Sequence, residues 1–200
     1  MKNNPQSHNR RSIRLKEYDY SQGGLYFITI CVKDRICAFG EISDGKMILN
    51  TEGTIADDCW SEIPSHFPNA ILHEYIVMPN HLHGIIELIQ KIVGASHVMP
   101  KKDVPDSTGW ASHVMPLHNE LEQNKNHFSQ PIPGSISVIV QQFKSSVTRH
   151  CKKINIQNFQ WQSRFYDHII RTGKDYGHIS DYIMNNPSNW DKDTFRTVKV

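Results

Sequence analysis

The chain contains 200 residues, of which 38% are hydrophobic and 21% are charged, and its formal net charge at pH 7 is +2. These values are typical of a soluble protein with one domain, or one domain with a large insertion. No apolar run approaches the roughly 18–20 residues of a membrane span, and the N-terminus lacks the apolar segment of a signal peptide. The four cysteines are scattered without a CxxC pair, which predicts free thiols in a reducing cytoplasm.

Basic residues are concentrated in two blocks that contain no acidic residue. The first block is residues 1–16, within a predicted basic N-terminal arm of residues 1–20, and the second is residues 144–153. Such blocks suit a polyanion, because binding releases counterions from the phosphates. A solvated tail and a solvated helix face explain each block alone at least as well.

The first half of the chain predicts three strands and one helix. The run YFITICV, residues 26–32, is rich in β-branched and aromatic residues and predicts the first strand. Residues 51–66 predict a helix with Thr51 as its N-cap, because apolar residues recur every four positions. Residues 70–78 and 81–88 predict a hairpin with a Pro-Asn turn between its strands.

Residues 89–134 differ in composition from both flanks. They carry five prolines and two copies of the hexapeptide ASHVMP. Because a structureless loop of this length is unusual within a compact domain, this segment predicts a mobile insertion.

Regular structure is predicted again after the insertion. Ser135 is a plausible N-cap for an amphipathic helix whose apolar face extends from Ile136 to Ile154. Residues 165–171 predict a fourth strand. Residues 174–186 predict a last helix, which Pro187 ends.

The predicted order is strand, helix, strand, strand, insertion, helix, strand, helix. Without the last helix this is βαββαβ, the ferredoxin-like pattern of an α+β protein. The pattern predicts an antiparallel sheet with helices on one face and a second face that is open. Residues 21–190 form this single predicted domain, and residues 191–200 form a C-terminal tail.

Two histidines, His81 and His83, flank Leu82 in the predicted third strand. Alternation along a strand places both imidazoles on one side and Leu82 on the other. Two neutral imidazoles side by side form half of a divalent-metal site. The alternative is two half-exposed histidines on the polar face of the sheet, because an isolated HxH often occurs by chance.

The last predicted helix carries three side chains with metal or acid–base chemistry on one face. His178, Tyr182 and Asn186 follow one another at intervals of four residues. The amide oxygen of Asn186 would complete a His–His–Asn site and place the Tyr182 phenol beside the metal. A tyrosine at the core edge and an asparagine near the helix C-terminus explain the spacing about equally well.

Four segments together resemble one known family. They are YIVMPNHLHGIIEL, GSISVIVQQFKSSVTRH, WQSRFYDHIIR and YIMNNPSNW, and they follow the order of that family. The chain resembles the HUH-type single-tyrosine transposases and, within them, the REP-associated tyrosine transposases. In this family a His–hydrophobe–His motif binds the catalytic metal, and a tyrosine on the final helix is the nucleophile. The resemblance implies His81, His83 and Asn186 as metal ligands and Tyr182 as the nucleophile.

The resemblance also implies the reaction and the cofactor. The chain would be a metal-dependent endonuclease and strand transferase that forms a 5′-phosphotyrosine link to hairpin-containing single-stranded DNA. Mg²⁺ or Mn²⁺ is the implied cofactor, although two histidines and an amide would also accept Zn²⁺ or Ni²⁺. Tyr166 and Tyr176 are rival nucleophiles. His178 is a candidate base, with an ordinary surface histidine as its alternative, and His168 matches a family position as a candidate for packing, a contact to the metal site or catalysis.

Phosphate contacts are predicted for six basic residues, namely Arg10, Arg11, Arg14, Lys144, Arg149 and Lys152. Trp161 or Phe165 would stack on bases, although burial in the core is the favoured alternative. The implied partner is single-stranded or hairpin DNA, with no membrane. The protein would be cytoplasmic, associated with the nucleoid, and either a monomer or a homodimer.

Two other functions compete with the transposase hypothesis. A non-catalytic, sequence-specific DNA-binding protein, a domesticated relic, would keep the fold without the chemistry, but the intact His81, His83, Tyr182 and Asn186 argue against it. A zinc-dependent hydrolase or deaminase would need a third His or Cys at ligand spacing, and the sequence does not offer one.

Overall fold

The computed structural model describes residues 19–89 and 132–196. Two predicted segments therefore lie outside the described residues: most of the N-terminal arm with Arg10, Arg11 and Arg14, and nearly all of the insertion. The strands are β1 (Gly24–Cys31), β2 (Gly40–Ser43), β3 (Lys46–Leu49), β4 (Ala70–Met78), β5 (His81–Leu88) and β6 (Tyr166–Ile170). The helices are α1 (Thr51–Ser61), α2 (Ile63–His66), α3 (Ile136–Lys153) and α4 (Gly173–Asn185), with 3-10 helices at Lys33–Arg35 and Pro187–Lys192.

The main sheet has the order β4-β5-β1-β6, and each neighbouring pair is antiparallel. This order is the ferredoxin-like arrangement, so the α+β fold predicted from the sequence is confirmed. The hairpin predicted at 70–88 is confirmed with the same strand bounds.

One face of the sheet packs against α1 and α3. Alternate residues of β1 and β5, such as Ile28 and Leu82, are fully buried beneath Trp60 of α1 and Phe143 of α3. Burial of each large apolar side chain contributes about 1.5–3 kcal/mol. Gly84 allows the close approach of α1, since a Cβ there would lie 2.4 Å from a ring carbon of Trp60.

The sequence predicted that the second face of the sheet is open, but α4 covers its centre. Ile183 of α4 is buried there against Phe27, Ile85 and Ile170. An irregularity in β4 between Leu72 and Tyr75 accompanies this docking. In that segment Glu74 accepts hydrogen bonds from the Tyr176 hydroxyl, at 2.8 Å, and from Ser180 of α4, at 3.2 Å.

Three further details differ from the sequence predictions. The helix predicted at 51–66 is divided into α1 and α2, and its N-cap is Asn50, whose side chain accepts from the Gly53 amide, rather than Thr51. The hairpin of β2 and β3 was not predicted. Ile154 lies just after α3 and is 47% exposed, so it does not extend the apolar face.

The four cysteines form no disulfide bond with one another, as predicted, and all of them lie in the described part of the chain. Among the described residues, no helix combines the length and hydropathy that a membrane crossing requires.

Candidate active site

His81 and His83 begin β5 and point to the face of the sheet that carries α4. Their ring centroids are 4.4 Å apart, while Leu82 between them packs into the opposite core. The predicted alternation is therefore confirmed. The two histidines are 0% and 1% exposed, so they are not the half-exposed strand residues of the alternative interpretation.

Aromatic side chains enclose this pair of histidines. Phe27 of β1 stacks on His83 with ring centroids 5.3 Å apart, and Phe195 lies 4.7 Å from His81. Arg35 holds the segment of Phe195 in place, because its guanidinium lies 5.1 Å from that ring and donates to the Thr194 carbonyl. This enclosure excludes water from the imidazoles.

The hydrogen bonds of Asn80 fix the tautomer of His81. The Asn80 amide nitrogen donates to the carbonyls of Arg35 and Phe195, so its oxygen faces His81 Nδ1 at 2.7 Å. Because that oxygen accepts, Nδ1 carries the proton and Nε2 presents a lone pair. Thr29 orients the His83 ring, because its hydroxyl lies 2.8 Å from Nδ1 and can donate or accept there.

Both imidazoles are neutral at physiological pH. Burial lowers the pKa of His83 to about 3. Burial is also the main cause of the low pKa of His81, about 2, to which the neighbouring His83 and Arg35 contribute. Neutral imidazole is the form that binds metal ions.

Asp193 completes a group of three residues with ligand atoms directed at one another. The ligand atoms of His81, His83 and Asp193 all lie within 4.8 Å of each other, and we call these residues the ligand cluster. Asp193 Oδ1 accepts from the Phe195 amide at 2.7 Å, which leaves Oδ2 3.8 Å from His81 Nε2. Sequence reasoning had placed Asp193 in the tail and did not identify it.

The ligand cluster passes a simple test for a divalent cation. Among the described residues, His81 Nε2 and Asp193 Oδ2 of the cluster are buried without a hydrogen-bond partner, as is Asn186 Oδ1 at the C-cap of α4. A buried polar atom without a partner costs about 1–3 kcal/mol, so a site that leaves several together fits a group that binds them. Imidazole nitrogen with carboxylate and amide oxygen is a donor set that divalent metals accept.

Tyr182 lies at the edge of the ligand cluster. Its hydroxyl is 3.2 Å from His83 Nε2, and the residue is 43% exposed, so the phenol faces both the cluster and solvent. Burial and then the Asp193 charge raise its pKa, against a hydrogen bond with Asn186 that lowers it. At neutral pH the phenol is therefore protonated, and an attack by its oxygen requires loss of that proton.

Four other residues were predicted as candidates for the site, and their surroundings differ. Tyr166 is 45% exposed on β6 and packs edge-on against Phe27, whereas the Tyr176 hydroxyl is engaged by Glu74 and His73. His168 and His178 are exposed, and no side-chain hydrogen bond connects either imidazole to residues 19–89 or 132–196.

The described basic residues predicted to contact DNA share one side of α3. Lys144, Arg149 and Lys152 line a groove together with Trp161. Trp161 is half-buried, and its indole donates to the Lys144 carbonyl at 3.0 Å, so core packing accounts for much of this ring. Phe165 also packs partly against the core.

The chain was compared with known proteins, and no protein-family model matches it. A Haemophilus influenzae protein described as uncharacterized is 41% identical over 187 residues, which cover 93% of this chain and 92% of that protein. The REP-associated tyrosine transposase of Escherichia coli K12 is 24% identical over 185 residues, covering 88% and 79% of the two chains. A solved structure of the REP-associated tyrosine transposase bound to a REP hairpin matches with a TM-score of 0.53 and 21% identity, covering 90% of this chain and 74% of that one.

The fold of the chain is thus that of a tyrosine transposase, an α+β protein with an antiparallel sheet. In sequence the chain is similar to REP-associated tyrosine transposases, at 24–25% identity. It is therefore related to DNA-processing enzymes.

Proposed function

We propose that the protein is a metal-dependent endonuclease and strand transferase that cuts and joins single-stranded DNA containing a hairpin. The observation that carries this proposal is the position of the Tyr182 hydroxyl, 3.2 Å from His83 Nε2, beside a cluster of buried ligand atoms that lack partners. The relative whose solved structure contains a REP hairpin supports DNA as the substrate.

His81, His83 and Asp193 would hold the divalent cation, with the Asn186 amide oxygen as a further ligand. Mg²⁺ or Mn²⁺ bound there would polarise the scissile phosphate and offset the charge that develops on its oxygens. Asn80 keeps His81 in the tautomer that ligation requires, and Thr29 holds the orientation of His83.

Tyr182 would act as the nucleophile. A bond forms between its oxygen and phosphorus, the bond from phosphorus to the 3′ oxygen breaks, and the phenol proton ends on the released 3′-hydroxyl. The product is a 5′-phosphotyrosine link that keeps the phosphodiester energy. A 3′-hydroxyl can then attack the link and restore both the DNA strand and the tyrosine. His178 as the base and His168 as a contact to the site stay predictions.

The test begins with a hairpin library, since the target sequence is not known. The protein is incubated with single-stranded hairpin oligonucleotides of randomised flanks in Mn²⁺, Mg²⁺ or EDTA. Covalent adducts are isolated under denaturing conditions and sequenced, and a selected oligonucleotide is then labelled at its 5′ or 3′ end. We expect the fragment 3′ of the cut to be attached to the protein in the presence of a divalent metal and free in EDTA.

Two variants decide which residue is the nucleophile. Tyr182→Phe removes the attacking oxygen and is expected to abolish adducts, whereas the matched control Tyr166→Phe, an exposed tyrosine on the same face, is expected to form them. Adducts that persist in Tyr182→Phe would contradict the assignment. DNA binding without cleavage under every metal would favour the non-catalytic relic.

A further inference from the structure

Two surface grooves meet at one loop beside the candidate active site. The first, about 780 Å³, lies between the C-terminal half of α3 and residues 161–163. The second, about 630 Å³, lies between residues 33–35 and residues 160–163. Both grooves are lined by Trp161, Gln162 and Ser163, so the same three residues form a wall of each.

The two grooves are strongly cationic. Their lining side chains include six cations and a single carboxylate, that of Asp34, and the cations are Lys33, Arg35, Lys144, Arg149, Lys152 and Lys153. Hydroxyl groups of Ser145 and Ser163 lie among them and can donate to phosphate oxygens. Cationic grooves of this kind follow a phosphate backbone.

Backbone hydrogen bonds tie the shared loop to the end of β1 that borders the ligand cluster. The Gln162 amide donates to the Cys31 carbonyl at 2.9 Å, and the Lys33 amide donates to the Gln160 carbonyl at 2.9 Å. Cys31 in turn pairs in register with His81. Arg35, which lines the second groove, has its guanidinium over Phe195, the ring that lies 4.7 Å from His81.

Trp161 favours a single strand over a duplex. Its ring is anchored by Phe39, Phe143 and Phe159, with centroids 5.1–5.6 Å away, and its remaining surface lines both grooves. A fixed aromatic ring between two cationic grooves is a platform on which an unpaired base stacks. The bases of a duplex are already stacked on one another and do not use such a platform.

We propose that the two grooves form one continuous channel for single-stranded DNA, which leads the strand flanking the cut from α3, across Trp161, to the ligand cluster. This channel rests on the proposed function, because it supplies the strand on which that site would act. It adds Lys33, Lys153 and the loop 160–163 to the basic residues predicted from the sequence.

The test measures binding without cleavage. Fluorescein-labelled oligothymidine is titrated with the full chain carrying Tyr182→Phe, in EDTA, over a range of salt concentrations. Lys33→Gln and Arg149→Gln each remove one cation from one groove, and Lys46→Gln removes an exposed cation of β3 outside both grooves. Melting temperatures of all variants verify that the fold is retained.

Each groove variant is expected to reduce the slope of log affinity against log salt by about 0.7, the value for one phosphate contact to a single strand. The double variant, with both Lys33→Gln and Arg149→Gln, is expected to show the sum of the two slope reductions. Lys46→Gln is expected to leave the slope unchanged. With an oligothymidine too short to span both grooves, the two losses no longer add.

Three results would overturn the channel. The first is a salt slope that Lys33→Gln leaves unchanged. The second is a pair of slope reductions that add at every oligonucleotide length. The third is a duplex that binds as well as the single strand and responds equally to the variants. Adduct formation by the Tyr182 enzyme with no response to these variants would refute the channel and leave the proposed function standing. A response of DNA binding to these variants without adduct formation by the Tyr182 enzyme would refute the proposed function and leave the channel standing.

Discussion

Replacing Asp193 by asparagine tests the ligand cluster through two effects of opposite sign. Asn80 fixes the proton of His81 on Nδ1, so His81 Nε2 presents a lone pair to Asp193 Oδ2 at 3.8 Å. Two acceptors thus face each other in a buried site, and neither has a hydrogen-bond partner. In Asp193→Asn, the amide nitrogen can donate to His81 while the amide oxygen keeps the bond from the Phe195 amide.

The magnitude follows from the number of atoms that lack partners. Supplying a buried acceptor with a donor recovers about 1–3 kcal/mol. For a chain of this size 1 kcal/mol corresponds to about 2–4 °C in melting temperature, so the metal-free variant should melt about 2–12 °C higher. Mn²⁺ at about 100 times its Kd should stabilise the unsubstituted protein by about 2.7 kcal/mol, or about 5–11 °C, and should stabilise the variant by less.

Differential scanning fluorimetry in EDTA and across a Mn²⁺ titration measures both effects. Asn185→Ala serves as a control, because Asn185 is exposed and bonds only within α4 and to Asn189 among the described residues. A lower melting temperature of Asp193→Asn in EDTA would refute the opposed-acceptor argument. An undiminished Mn²⁺ shift would show that Asp193 is not a ligand.

Three further changes are expected to act elsewhere in the molecule. Asn80→Ala removes the group that holds the His81 tautomer, so Mn²⁺ affinity measured by calorimetry should fall by about 10–100-fold. An unchanged Mn²⁺ affinity would contradict this role of Asn80. Burial lowers the pKa of Lys144 to about 8, so its positive charge is lost as pH rises through 8 and oligothymidine affinity should decline there. Lys144→Arg, which stays charged, should flatten this pH profile, and a decline of equal size in the variant would rule out Lys144 as its source. Gly84→Ala places a methyl group 2.4 Å from Trp60 and should lower the free energy of unfolding, measured with urea, by about 1–3 kcal/mol. An unchanged free energy of unfolding would show that α1 shifts to make room for the methyl group.

The strand period and the helical spacing predicted a large part of the candidate site. An i, i+2 pair on a strand must share a face, so His81 and His83 were expected together before any contact was known. The i, i+4 spacing placed Tyr182 and Asn186 one turn apart, and the structure brings Tyr182 to His83. These placements rest on local geometry alone, whereas the roles of the residues as metal ligands and nucleophile stay predictions.

The residues that were missed depend on contacts between distant parts of the chain. Asp193 lies 110 residues after His83 in a segment without periodicity, so no local pattern could pair them. Thr29 did offer a signal, as a polar residue within an apolar strand. Asn80 offered another, because it directly precedes His81, although it was interpreted only as a turn residue.

The β2–β3 hairpin was also missed, yet its signal was present. Asp44-Gly45 is a preferred pair for the two-residue turn in which both residues have positive φ, and their φ angles are +50° and +70°. The flanking strands have only four residues each, too few for a clear alternation. The open second face was wrongly expected for a different reason, since the pattern βαββαβ does not state where a further helix docks.

The orientation of the two imidazoles has a consequence for the net charge of the site. Thr29 and Asn80 are uncharged, so they orient His81 and His83 without adding a negative charge. The proposed donor set would then consist of two neutral rings, the neutral Asn186 amide and one carboxylate from Asp193. A divalent cation held by this set would keep one net positive charge, which matches the single negative charge of a phosphodiester. A second carboxylate among the donors would cancel that charge, so under the proposed function the neutral amide of Asn186 would preserve the attraction between the site and a DNA phosphate.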